Sequence, residues 1–160
     1  MYRTKNDLPE SARTKLVDLL NARLADAIDL QTQCKQAHWN VKGPNFIALH
    51  KLFDEVNGAV EEYIDLIAER AVQLGGSADG TARVAAKRSS LSEYPVKGGD
   101  GRSHVEALSA VLSAFGTLVR ADIDHANELA DADTADLFTE VSRGIDKWLW
   151  FVEAHLQAER

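Results

Sequence analysis

The chain has 160 residues, 45% hydrophobic and 27% charged, with a formal net charge of −7 and one cysteine. That size suits a single domain over 1–160 around one core, preceded by a short N-terminal tail over about residues 1–8. No apolar run approaches the roughly 18 residues of a membrane span, the N-terminus lacks a signal-peptide core, and one cysteine closes no internal disulfide, so the cytoplasm is the expected compartment and a cation, rather than a general polyanion, the expected partner.

Pro9 is early enough to sit in a first helical turn, and Leu16, Leu20, Leu24, Ala27 and Ile28 then form a 3.6-residue stripe running toward Cys34 and His38. Val41-Lys42-Gly43-Pro44-Asn45 reads as a tight helix-helix connection. A second helix follows from about Asn45 to Leu74, where Gly75-Gly76 stops it as a left-handed cap would. Residues 77–101 form a long link with a short helix starting at Thr81 and loop at Tyr94-Pro95 and Gly98-Gly99-Asp100-Gly101. Ser103 and Glu106 have capping-box spacing for a third helix, whose Val105, Leu108, Val111, Leu112 and Phe115 line one face. A fourth begins near Asp133 and carries Leu137, Phe138, Val141, Ile145, Trp148 and Val152. Strand patterns and internal repeats do not compete. Four long helices with a long crossover between the second and third describe an all-α, ferritin-like four-helix bundle, the crossover carrying the short helix.

The second helix holds the chemistry. With His50 as zero, Asp54 falls near about 40°, Asp65 near about 60° and Glu69 near about 100°, so two i, i+4 pairs share one stripe. The pairs are centred about 22 Å apart along the axis, too far to ligate one ion within a single chain. Positions 50 and 69 have the same midpoint as 54 and 65, between Ala59 and Val60. A two-fold axis there lays the helix antiparallel on its twin, with His50 and Asp54 of one copy facing Asp65 and Glu69 of the other, and the isologous contact makes two sites. Gly58 and Ala59 at the crossing leave room for close approach. His38 and His50 are equidistant from Pro44, so the hairpin sets them side by side. Two imidazoles and three carboxylates make a mixed nitrogen and oxygen set suited to iron, manganese or zinc. The bland alternative is a solvated acidic face.

Ferritin-like bundles usually carry Glu-x-x-His motifs for a site inside one subunit, and this chain has none. The runs Lys35-Gln36-Ala37-His38-Trp39-Asn40 and Asn45-Phe46-Ile47-Ala48-Leu49-His50, with Asp54, Asp65 and Ala68-Glu69-Arg70-Ala71-Val72-Gln73-Leu74-Gly75-Gly76, resemble the Dps family, the mini-ferritins. So do Asp133-Thr134-Ala135-Asp136-Leu137 and Asp146-Lys147-Trp148-Leu149-Trp150-Phe151; the likeness spans roughly residues 12 to 156. The spacing His-x11-His-x3-Asp-x10-Asp-x3-Glu carries it most specifically.

What the resemblance implies is a dodecameric shell with ferroxidase centres at its two-fold interfaces, formed by His38, His50, Asp54, Asp65 and Glu69. Fe²⁺ would be oxidised there, with hydrogen peroxide as oxidant, and stored as ferric mineral, which protects DNA by removing both reagents of hydroxyl-radical chemistry. Trp39 resembles a family tryptophan that donates an electron to stray oxidising intermediates; packing at the interface is its other reading. The acidic cluster Asp131, Asp133, Asp136 and Glu140 resembles the family's cation pore, against the alternative that these acids cap the fourth helix. Cys34 has two readings, a soft fifth ligand or a small buried hydrophobe. His104, His125 and His155 lack partners at ligand spacing and read as surface or local packing groups.

Two further functional classes remain open from sequence. One is a DNA-compacting nucleoid protein with the metal site secondary, for which this chain offers only Arg3 and Lys5 before Pro9, so that direct DNA binding is expected to be weak. The other is a zinc or manganese site without redox turnover.

Overall fold

The computed structural model describes residues 1–95 and 97–157. Helix α1 spans Glu10–Asn40, α2 Phe46–Gln73, the short α3 Ala82–Arg88, α4 Gly101–Glu128 and α5 Ala132–Glu153. α1 lies along α2 and α4 along α5, α1 also meets α4, α2 meets α5, and α3 rests on α1. This is the ferritin-like bundle expected, with the crossover from α2 to α4 running past α3. Among the described residues no helix is long and apolar enough to cross a membrane.

The expected stripes form the core. Leu16, Leu20, Leu24 and Leu30 of α1 meet Phe53, Val56, Val60 and Ile67 of α2, and Leu108, Leu112 and Phe115 of α4 meet Phe138, Val141 and Ile145 of α5, all fully buried. At about 2 kcal/mol for each such side chain, this burial is the main term holding the helices together. Pro9 precedes α1 as its cap, with φ −53° and ψ 140°, rather than lying in the first turn. Gly75 ends α2 at φ +86°, where a Cβ would lie 2.7 Å from the Tyr2 carbonyl oxygen. The N-terminal segment is tied to that cap: Tyr2 N donates to Gly75 O at 2.6 Å, and Arg13 Nη1 to Leu74 O at 2.9 Å.

Two details differ from the sequence reading. Residues Val41–Lys42 (β1) and Gly99–Asp100 (β2) pair in parallel, a two-residue bridge that no local pattern announces. Helix α4 starts before Ser103: its cap is Asp100, whose carboxylate accepts Ser103 N at 2.9 Å, while Glu106 accepts from Arg102 Nε at 2.8 Å instead of closing a capping box. The bridge holds Asp100 in extended geometry beside the hairpin loop, which is the conformation an N-cap requires. Gly101 then packs so closely on α2 that a Cβ would meet Leu49 Cδ1 at 2.5 Å. The loop joining α1 to α2 is therefore braced by the start of α4.

His104 reinforces this brace. It is fully buried, stacks on Tyr94 with ring centroids 6.0 Å apart, and its Nδ1 lies 2.6 Å from Tyr94 Oη. Burial pushes the imidazole down and the Tyr94 phenol up, which favours the neutral form of both hydrogen-bonded partners. Between α1 and α4, buried Arg23 lies 3.1 Å from Asp26 and 3.0 Å from Asp122, close ion pairs without hydrogen-bond alignment. Asp26 in turn accepts Ser90 N at 2.6 Å and anchors the crossover.

Candidate metal centre

His38 lies in the last turn of α1 and His50 in the second turn of α2, and the short connection between them places their rings face to face. The centroids are 3.8 Å apart and the planes 21° from parallel. Each ring reaches across to the other residue's backbone: His38 Nδ1 is 2.7 Å from His50 O, and His50 Nδ1 is 2.8 Å from His38 O. A carbonyl oxygen only accepts, so both Nδ1 atoms carry protons, and in the neutral tautomer this leaves the Nε2 lone pairs for a cation. The His38 carbonyl belongs to the last turn of α1, where no intrahelical donor remains, so His50 satisfies a group the helix leaves open. This is the arrangement that fixes tautomer and ring orientation in histidine metal ligands.

Asp54 follows one turn after His50 and is exposed. Lys35 Nζ sits on Asp54 Oδ1, and that hydrogen bond, with smaller contributions from the charges of Lys35, His38 and His50, holds the carboxyl below its usual range. Sequence reasoning missed Lys35. Its signal is positional: mirrored across Pro44, position 35 falls level with 53 and 54.

His38, Ile47, His50, Lys51, Asp54 and Glu55 line one open concavity. Asp65 and Glu69 are exposed further along α2 and do not join it, and among the described residues no group of three or more metal-ligating side chains converges within the chain. The helix between the two sets is open: Gly58 and Ala59 are half-buried, and a Cβ on Gly58 would touch nothing within 4 Å.

The Ferritin-like domain family matches residues 17–160. A relative named DNA protection during starvation protein, from Agrobacterium fabrum, is 44% identical over 98% of this chain and 96% of its own length. The chain belongs to the Dps family. Among solved structures, Mycobacterium smegmatis Dps superposes with a TM-score of 0.94 at 32% identity, covering 99% of this chain and 90% of that one. The Vibrio cholerae Dps protein, described as a member of a broad superfamily of ferritin-like diiron-carboxylate proteins, superposes with a TM-score of 0.90 at 27% identity, covering 98% of each chain.

Within this Dps-family chain the remaining candidates separate. Trp39 is 68% exposed and lines a second groove with Gln36, Asn57, Glu61, Ala82 and Tyr94, apart from the concavity that holds the histidines. Cys34 is 0% exposed and burial pushes its thiol up to about 12, so it is the small buried hydrophobe and not a soft ligand. Asp133, Asp136 and Glu140 are exposed on α5. Asp131, read with them as a pore acid, is only 3% exposed: it caps α5 by accepting Thr134 N at 3.2 Å and takes Arg70 Nη2 at 2.8 and 3.0 Å. Arg70 Nε also donates to Thr134 Oγ1 at 2.9 Å, so the residue after Glu69 ties the end of α2 to the start of α5.

Proposed function

We propose that this Dps-family chain is an iron-detoxifying and iron-storing ferroxidase whose centres form between two subunits. A two-fold axis between Ala59 and Val60 lays α2 on the partner's α2, so that His38, His50 and Asp54 face the partner subunit's Asp65 and Glu69, with a second centre on the far side of the axis. The observation that carries this reading is the reciprocal histidine pair, whose rings are fixed through their Nδ1 atoms on an open concavity that Asp54 also lines, while among the described residues no group of three or more metal-ligating side chains converges within one chain.

Ferrous ion is the substrate. Neutral imidazoles hold the entering Fe²⁺, while carboxylate oxygens favour Fe³⁺ and lower the potential for its formation. Hydrogen peroxide accepts two electrons, one from each of two ferrous ions; its O–O bond breaks and the oxygens leave at the oxidation level of water. The ferric ions hydrolyse, release protons and pass to a mineral inside a dodecameric shell. Asp133, Asp136 and Glu140 serve as the cation entrance, and Trp39 stands ready to reduce stray oxidising species. Protection of DNA follows from removing ferrous iron and peroxide together. The net charge of −7, and the anchoring at Gly75 of the segment that carries Arg3 and Lys5, favour this chemical protection over direct compaction of DNA.

The test is anaerobic loading with Fe²⁺ followed by a peroxide pulse. Rapid growth of ferric absorbance, abolished in His50→Ala and in Asp65→Asn, supports the reading. Ferrous or zinc ions that bind without any oxidation, or an unchanged trace in both variants, overturns it.

A further inference from the structure

The face of α2 that carries the ligands ends in an exposed aliphatic side chain at each extremity. Ile47 is 59% exposed and Val72 55%. On the same helical wheel, with His50 as zero, Ile47 falls near about 60° and Val72 near about 40°, inside the stripe of Asp54 and Asp65. Ile47 stands one turn before His50 and already lines the concavity with His38, His50 and Asp54. Val72 stands one turn after Glu69. Positions 47 and 72 have the same midpoint, between Ala59 and Val60, as both ligand pairs.

We infer that Ile47 packs on the partner subunit's Val72, and that this aliphatic contact forms the dry outer wall of each metal pocket, one turn beyond the pairing of His50 with the partner's Glu69. The inference rests on the two-fold reading above and adds a role for residues that donate nothing to the ion. The occupant of each apolar end is a second copy of this chain, because one symmetry operation that joins the charged ligands also superimposes the two exposed aliphatic groups. Such a wall excludes bulk water from one side of the site, which strengthens the carboxylate interactions with the cation and slows the loss of bound Fe²⁺.

A cross-link tests the pairing without reference to iron. The double variant Ile47→Cys/Val72→Cys, treated as the full-length assembly with an aerobic copper-phenanthroline oxidant, should give a covalent dimer on a non-reducing gel. Each single variant should not, since position 47 lies about 37 Å along the helix from position 72 and opposes only the latter across the axis. Native Cys34, fully buried, does not compete. A double variant that stays monomeric, or single variants that cross-link as readily, overturns the pairing. The wall is tested by the rate at which a ferrous chelator strips anaerobically loaded protein. Ile47→Ala and Val72→Ala should each release iron severalfold faster than the parent, and the double variant no faster than the quicker single. Unchanged release, or effects that multiply as if independent, overturns the shared wall. If the cross-link forms but the parent protein oxidises no iron, the pairing stands and the ferroxidase reading fails.

Discussion

Lys35 and Asp54 form an ion pair beside the histidine concavity, so an internal ammonium competes for a carboxylate that the proposed centre assigns to the metal ion. In the proposed centre a cation would have to displace Lys35 from Asp54. Lys35→Met should therefore tighten binding of a divalent probe such as Co²⁺ by about fivefold, the scale of an exposed ion pair, as measured by titration of its d–d absorbance. Weaker binding in the variant would show that Lys35 assists the site rather than competing with the ion.

The clamp between Arg70 and Asp131 gives a stability prediction with a defined pH dependence. Burial opposes ionisation of Asp131, but hydrogen bonds from Thr134 and Arg70 outweigh it and hold the carboxyl below its usual value. A carboxyl depressed in the folded state contributes stability above its unfolded pKa, about 3.9, and loses it as pH falls through the folded pKa. Arg70→Ala should cost about 3 kcal/mol at neutral pH by leaving a buried carboxylate without its cation. The gap between parent and variant should narrow as pH falls below the usual carboxylate range and through the parent's depressed folded pKa, where Asp131 becomes neutral in the folded state of both chains. Urea unfolding across that range checks both the size and the direction.

Much of the bundle is legible in the sequence because its signals are local. The stripe from Leu16 to Leu30 and the stops at Gly75 and Gly76 follow from helical period and backbone freedom alone. His38 and His50 are legible as neighbours for a similar reason, since both are measured from one tight turn. The rest depends on partners distant in sequence. Asp131 looks like an exposed acid until Arg70, 61 residues away, is brought against it. The start of α4 shifts to Asp100 because Gly99 and Asp100 pair with Val41 and Lys42, a contact with no local signature. Lys35 pairs with Asp54 across the same turn that pairs the histidines, but a lysine is no metal ligand and so carries no signature of the site.

Ala130 closes α4 at φ +59°, a left-handed conformation that crowds a Cβ against the backbone. Glycine carries no such penalty but is more flexible in the unfolded chain, so Ala130→Gly should stabilise the fold by about 1 kcal/mol. Thermal unfolding should show a modest rise in Tm; a fall would mean that the turn between α4 and α5 tolerates the alanine without strain.

Shared construction of the centre is tested most directly by mixing two inactive variants. His50→Ala destroys the imidazole half and Asp65→Asn/Glu69→Gln the acidic half, so neither variant alone has an intact site. Reassembled together from dissociated subunits in equal amounts, they should form mixed dimers in which one centre receives both intact halves. Activity in the peroxide pulse should then return to about a quarter of the parent level, since half of the dimers are mixed and half of their sites are whole. A mixture as inactive as its components, or full activity in either variant alone, would contradict a centre built between subunits.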